Sequence, residues 1–384
     1  MLLQQKDEGM QLSKALLIAI VCFGCFPSLH AAHHKRAESP RHNSNPQRFL
    51  RKLVRSPFAD RGGLVLRSTF LPINAPFANY NPSVVSYREG YLMSFRHDVP
   101  DPNARTIVQR RAVTGFIRLN SRMHPIEKEP TYLKLEGRYR DCEDSRLFYL
   151  GDKLYLCCCA FFPEEWYTKT TLMEVDQTTL EVRSITSLDY DGAKPIEKNW
   201  TPLVYSPTPG KEDLYLLYSF NPHIVLQTEA EPNGKIASKA TPLSTYPASK
   251  AVRRWTKKWG FLSGGTPALR VGENYLTFFH SHFKARRQNW YVIGAALLEG
   301  KPPFRPIKLS PRPILFQKMF SAPHHSDPRF RLSDAAHVIF PAGLVEGTHK
   351  KRPVFHVFYG DNDSGVGVLT IDKEKLLTSL KQVR

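Results

Sequence analysis

The sequence predicts an all-β fold, a five-bladed β-propeller, and three observations carry that reading. One grammar recurs five times along the chain: a polar cluster, an apolar run of strand length, a turn, and a second apolar run. Successive copies lie about 50 to 75 residues apart, near the upper end of propeller-blade repeats, with room for two more strands in each. Sustained amphipathic helical periodicity is absent outside the N-terminus, apart from Lys373 to Gln382.

The chain opens with an apolar run, Ala15 to Phe26, preceded by Lys14 and followed by the small residues Ala31 and Ala32. The run is shorter than the ~20 residues of a comfortable membrane span, so residues 1–32 read as a secretory signal, with an N-terminal anchor as the alternative. The expected location is therefore exported: secreted, periplasmic or membrane-anchored. Residues 33–61 are basic and polar without hydrophobic period and read as a linker. Residues 62–384 then hold the propeller.

Its first copy pairs Tyr80 to Tyr87 with Tyr91 to Arg96 across Arg88-Glu89-Gly90. The second opens at Asp141 and pairs Leu147 to Leu150 with Leu154 to Phe162 across Gly151-Asp152. The third runs from Glu197 through Pro207 to Gly210 and on to Phe220. The fourth joins Gly264 to Arg270 with Tyr275 to His280, and the fifth, looser copy joins Ala336 to Val345 with Pro353 to Tyr359. Further strands are visible at Thr171 to Val175 and Trp290 to Ala296, as four-stranded blades require.

A formal charge of +19 and a pI near 9.7 point to an anionic partner or environment. The basic clusters Arg253 to Lys258, Lys284 to Arg287 and Lys350 to Arg352 read as loops between blades, suited to a phosphate or a nucleotide-sugar. A nucleic-acid partner is not expected, since no helix-turn-helix, zinc-finger or aromatic RNA-binding signature is present. His324-His325-Ser326-Asp327 lacks a second ligand pair, so no metal and no other cofactor is expected. Cys142 and the run Cys157-Cys158-Cys159 have no metal spacing, and read as small apolar strand residues that alternate faces, with a bridge from Cys142 to one of the three as the alternative.

The polar clusters link the fold to function. Inner strands of a propeller surround a channel, and their ends converge at one mouth. Asn81, Asp144, Lys198-Asn199, Gly264-Gly265-Thr266 and Asp361 with Asp363 would meet there, as a ring suited to a polyhydroxylated ligand such as an oligosaccharide or glycan. In Glu143-Asp144-Ser145-Arg146 neighbouring acids fall on opposite faces, so one enters the channel while an arginine holds the other. Glycosidic cleavage needs a carboxyl to protonate the leaving oxygen. Asp144 is the candidate acid; Asp361 and Asp363 are candidates to bind hydroxyls or to act as a second acid/base.

In order along the chain, NPSVV with its following FR, EDSRLF, EKNWTP, GGTPAL with FFH, and YGDND are similar to the motifs of glycoside hydrolase family 130. That family comprises five-bladed propeller β-mannoside phosphorylases and β-mannosidases, with related mannosyltransferases, and the resemblance spans residues 79 to 366. It implies sugar contacts at Asn81 and Arg96, proton donation by Asp144 with Arg146 as companion, and matching positions at Lys198-Asn199, His280 and Asp363. Ser145 stands where the phosphorylases have proline, and no copy of a phosphate-binding arginine set is visible. Hydrolysis, phosphorolysis and glycosyl transfer on β-mannosides are the expected activities, against a non-catalytic glycan-binding propeller.

Overall fold

The computed structural model describes residues 63–75, 78–99, 111–139, 141–162, 167–231, 234–285, 288–323 and 336–383. The signal-like segment 1–32, the linker 33–61, Arg286, Arg287 and the His324 to Asp327 cluster lie outside them.

Each recurring copy folds as an antiparallel hairpin, and further strands extend it outward into a sheet. A first strand, β1 (Val65–Phe70), stands apart from the copies. Blade 1 is β2 (Asn79–Tyr87), β3 (Gly90–Val99), β4 (Arg111–Leu119) and the short β5 (Thr131–Tyr132). Blade 2 is β6 (Cys142–Leu150), β7 (Lys153–Phe162), β8 (Tyr167–Val175) and β9 (Val182–Ser187). Blade 3 is β10 (Thr201–Thr208), β11 (Lys211–Phe220), β12 (His223–Ala230) and β13 (Ile236–Tyr246).

Helix α1 (Lys250–Trp259) leads into blade 4, whose inner edge is split into β14 (Phe261–Gly264) and β15 (Leu269–Val271). Outward follow β16 (Asn274–Ala285), β17 (Gln288–Leu298) and β18 (Pro306–Leu309), and the two-residue β19 (Ala336–His337) pairs with β17. Blade 5 is β20 (Ile339–His349), β21 (Arg352–Asp361) and β22 (Gly365–Asp372). Its fourth strand is β1, running antiparallel to β22 from Val65↔Ile371 to Phe70↔Gly367, so the two ends of the propeller close the ring. Helix α2 (Lys373–Ser379) and β23 (Lys381–Gln382) finish the chain, β23 on the edge of β18. The architecture is the predicted five-bladed β-propeller.

Apolar faces of neighbouring blades form the core. Leu92 and Phe116 of blade 1 pack with Leu147 and Leu156 of blade 2, and Phe148 and Tyr155 of blade 2 pack with Trp200 and Leu216 of blade 3. Blades 3, 4 and 5 share one cluster that includes Leu217, Phe278, Ile293, Phe355 and Leu369. Each such side chain contributes about 1.5–3 kcal/mol by burial, against about 1 kcal/mol for a polar stitch such as Leu147 N–H to Ser83 Oγ at 2.9 Å. Burial therefore holds the blades, and the polar stitches set their register.

Three expectations need correction. Arg253 to Lys258 is not a loop but the body of α1, capped by Ser249, with Val252, Trp255 and Trp259 buried and the cations on the opposite face. Lys350 and Lys351 are not between blades: they form the hairpin turn of blade 5, because Arg352 already pairs with His349, and likewise Lys284 and Ala285 end β16 within the blade 4 hairpin, paired with Asn289 and Gln288. Cys142 and Cys158 are joined in a disulfide rather than packed as free thiols. The alternation of faces does hold, since Cys157 and Cys159 are free, buried and turned to the connection into blade 3.

Candidate active site

The first two blades begin with the same local irregularity. The pairing of β2 with β3 jumps from Tyr80 to Ser83, and that of β6 with β7 jumps from Glu143 to Arg146. Inside these bulges Asn81 has φ 51° and Asp144 φ 55°, and Asn199, just before β10, has φ 76°. Asn and Asp tolerate this left-handed backbone better than other side chains, and a bulge re-aims the residue it contains. The result is that Asn81 Nδ2 donates to Asp144 Oδ1 at 2.7 Å across two blades. On the other side of Asn81 lies Gly360 of blade 5, where a Cβ would sit 2.2 Å from Asn81 Oδ1, so only glycine fits.

Around Asp144 the cations converge. Lys198 Nζ lies 3.5 Å from its Oδ2 and 3.1 Å from Glu143 Oε2. Arg96 reaches Asp144 at 3.6 Å, Glu143 at 2.9 Å and Asp98 at 3.4 Å, and its guanidinium lies over the Tyr80 ring. Tyr80 in turn donates to both oxygens of Asp98, at 3.0 and 3.1 Å. Asp98 was missed by sequence reasoning, although its i+2 spacing from Arg96 on a strand puts both on one face.

Arg146 does something different. Its Nε donates to Gly265 O at 2.6 Å, its Nη1 to Asp144 O at 2.9 Å, and its Nη2 to Asn199 Oδ1 at 3.1 Å and Gly264 O at 3.4 Å. The guanidinium of Arg146, expected with Glu143 to bind substrate, is thus a brace among blade 2, blade 4 and the entry to blade 3. Ser145, at the departure from the family motif, donates to Ser94 Oγ at 3.1 Å and so stitches blade 2 to blade 1.

The electrostatics follow from burial and charge. Burial pushes the Asp144 carboxyl up, but Lys198, Arg96, the Asn81 hydrogen bond and Arg146 together hold it well below the usual carboxylate range. Burial also opposes the charge of Arg96, and Glu143, Tyr80, Asp98 and Asp144 outweigh it, so Arg96 stays firmly protonated. His280 is pushed down to about 3 by burial first and then by the Arg146 charge, so it is neutral at any working pH. It lies against Phe340 with ring centres 4.6 Å apart. Its Nδ1 and Asn81 Oδ1 are buried and have no hydrogen-bond partner among the described residues. Such atoms are costly unless a ligand completes them.

Thus the structure brings Asn81, Arg96, Glu143, Asp144, Arg146, Lys198 and Asn199 into one network, with His280 within its field. Asp361 is occupied elsewhere: its Oδ1 accepts from Ala322 N–H at 3.3 Å, and burial, with backbone N–H groups opposing, pushes it up to about 7. Asn362 holds the same loop, donating to Ala322 O and accepting from Val338 N–H, both at 3.2 Å. Asp363 follows in the turn after β21, half-buried at φ 49° and close enough to Asp361 to raise it. Among the described residues no group of three or more His, Cys, Asp or Glu is arranged to hold a metal ion.

Comparison with known proteins gives the family and the fold. The family model described as β-1,4-mannooligosaccharide phosphorylase, glycoside hydrolase family 130, matches residues 51–382. Among solved structures, a β-1,2-mannobiose phosphorylase from Listeria innocua, in complex with β-1,2-mannobiose, is 17% identical with a TM-score of 0.54, over 83% of this chain and 97% of its own. A mannose phosphorylase from Leishmania mexicana, in complex with phosphate ion, is 13% identical with a TM-score of 0.52, over 88% and 98%. A glycosyl hydrolase from Bacteroides ovatus is 14% identical with a TM-score of 0.53, over 82% and 92%. At these identities the likeness is one of fold. No curated protein matches the chain.

Proposed function

Because the chain belongs to glycoside hydrolase family 130, we propose that it is a carbohydrate-active enzyme that cleaves β-mannosidic bonds, with Asp144 handling the proton at the glycosidic oxygen. The observation that carries this reading is the convergence of Asn81, Arg96 and Lys198 on one buried carboxylate at the mouth of the propeller. In the free protein that carboxylate is ionised. A sugar hydroxyl entering between Asp144 and Lys198 separates the pair and removes the largest charge that holds the proton off. Burial, which favours the neutral acid, then works against Arg96, the Asn81 hydrogen bond and Arg146 alone, so Asp144 takes up a proton from solvent more readily on binding, passes it to the glycosidic oxygen and returns to the carboxylate. Asn81 Oδ1 and His280 Nδ1, without hydrogen-bond partners among the described residues, are the acceptor and the neutral imidazole nitrogen offered to sugar hydroxyls.

Incubation with β-1,2- and β-1,4-linked manno-oligosaccharides, with and without inorganic phosphate, tests the proposal. Mannose 1-phosphate formed only with phosphate marks phosphorolysis, and free mannose in both marks hydrolysis. A parallel incubation with nucleotide-mannose and an acceptor tests transfer. Failure to turn over any of these, with sugar binding intact, would leave a non-catalytic glycan-binding propeller. For location, we propose an exported protein, since the Cys142–Cys158 disulfide suits an oxidising compartment. Alkylation after denaturation without reductant, in protein taken from its native compartment, tests this: Cys142 and Cys158 should resist labelling until a reductant is added, while Cys157 and Cys159 are labelled at once.

A further inference from the structure

The connection from β9 to β10 faces two ways. Lys198 turns to Asp144, while Glu197, one Cα step of ~3.8 Å away, turns to the other side. There Glu197 accepts from Trp200 Nε1 at 3.1 Å and from Tyr218 OH at 2.8 Å. Thr168, at the start of β8, ties the same connection down: its N–H donates to Pro195 O at 2.8 Å and its Oγ1 to Glu197 O at 2.6 Å. Between them lies an open cleft of about 550 Å³, lined among others by Tyr167, Lys169, Tyr190, Ala193 and Glu197. None of its lining residues belongs to the Asp144 network, yet its wall is the segment that delivers Lys198 and Asn199 to that network.

The volume falls within the range of ligand sites, about 300–1,000 Å³. The chemistry of the walls names the ligand. Tyr190 is held edge-to-face against Trp200 and Tyr218, with ring centres 6.2 and 5.1 Å apart, so the ring is preorganised. Lys169 Nζ meets Asp189 Oδ1 at 2.6 Å and stands over the Tyr167 ring at 5.6 Å, a donor beside an acceptor at the open rim of the cleft. Half-buried aromatic rings for the apolar face of a pyranose, next to paired charges for its hydroxyls, suit an uncharged sugar.

We propose that this cleft is a second subsite, which holds sugar residues remote from the scissile bond, so that the preferred ligand is an oligosaccharide spanning both. The proposal rests on the reading of the Asp144 network as a mannoside site. Binding to residues that do not react is the way such a subsite acts on the chemistry, by anchoring the chain that enters between Asp144 and Lys198.

The test is calorimetric titration of the full chain carrying Asp144→Asn with β-linked manno-oligosaccharides of two, four and six units. Affinity should tighten about tenfold from two units to the longer chains, equal to about 1.4 kcal/mol. Two further changes in that background, Tyr190→Ala and Ala193→Trp, should each abolish the gain, the first by removing the ring and the second by filling the cleft. Melting midpoints within a few degrees of the parent separate this from misfolding. Equal affinity at every length, including none, or a length dependence that survives Ala193→Trp, overturns the subsite. Turnover by the unmodified chain is read separately: length-dependent binding without turnover sinks the catalytic reading alone, and turnover without length dependence sinks the subsite alone.

Discussion

Replacing Lys198 with Met isolates the interaction that sets the proton on Asp144. The thioether side chain keeps much of the lysine stem and removes only the ammonium, 3.5 Å from Asp144 Oδ2. At that distance a pair of unit charges is worth about 1.2 kcal/mol at the dielectric of water and about 4.7 kcal/mol at an effective value of 20. The lysine is 21% exposed and Glu143 shares its charge, so the true figure lies inside these limits. Losing a cation raises a carboxyl, and 1.36 kcal/mol equals one pH unit. An acid that must be protonated to act loses activity as pH rises past its own titration. The alkaline limb of kcat/KM, which reports the free protein, should therefore move upward by about 1 to 3.5 pH units in Lys198→Met. The limb of kcat, which reports the complex in which sugar already separates the pair, should move much less. Glu143 keeps Arg96 at 2.9 Å, so the variant leaves no acid without a cation. A kcat/KM limb that moves by less than about half a unit, or downward, refutes Asp144 as the proton donor.

Asp144→Asn should lower kcat by at least a factor of about 10² to 10⁴, with an unchanged circular dichroism spectrum; retained turnover contradicts the assignment. Reducing the Cys142–Cys158 disulfide, which closes a loop of sequence separation 16, should cost about 3 kcal/mol in a denaturant titration with and without thiol. Asp361, raised from 3.8 to about 7 by burial, holds a proton when folded that the unfolded chain releases, so its contribution is full below pH ~4 and falls by about 4 kcal/mol as pH rises to ~7. Asp361→Asn should flatten that slope in melts at pH 4 to 8, and an unchanged slope would show that another group titrates.

The hairpins were legible because each writes its own pattern. Apolar runs on either side of Gly151-Asp152 or Arg88-Glu89-Gly90 need no knowledge of the rest of the chain, and their recurrence gave the ring. Asp144 was legible for the same reason: it holds one place in a repeated unit. Helix α1 was hidden because Lys250, Arg253, Arg254, Lys257 and Lys258 outnumber the three apolar residues of its buried face. A run of cations reads as a loop unless Val252, Trp255 and Trp259 are read at their helical spacing. Closure of the ring by β1 was not legible, since the pairing of Arg67 with Thr370 joins residues that share no local pattern. The division of labour between Arg96 and Arg146 also lay beyond the sequence. Both precede or follow an acid, but only the bulge decides that one meets carboxylates and the other backbone carbonyls.

The charge of the chain and the charge of the site are different matters. Within the network Arg96, Lys198 and Arg146 stand against Asp98, Glu143 and Asp144, three cations to three acids, and His280 is neutral. A balanced, buried network has no excess field to recruit an anion, whereas it can exchange hydrogen bonds with an uncharged polyol one for one. The +19 of the full sequence lies elsewhere, in part on the outer face of α1 and in the blade 5 hairpin turn, at the far end of that hairpin from the Ile339↔Asp361 pairing. If phosphate enters as the nucleophile, it must take Arg96 or Lys198 away from Glu143, since Arg146 is committed to the carbonyls of Gly264 and Gly265. Glu143 and Asp144 share Arg96 and Lys198 although they are neighbours in the sequence, because the bulge between Glu143 and Arg146 breaks the strand alternation that would have put the two acids on opposite faces.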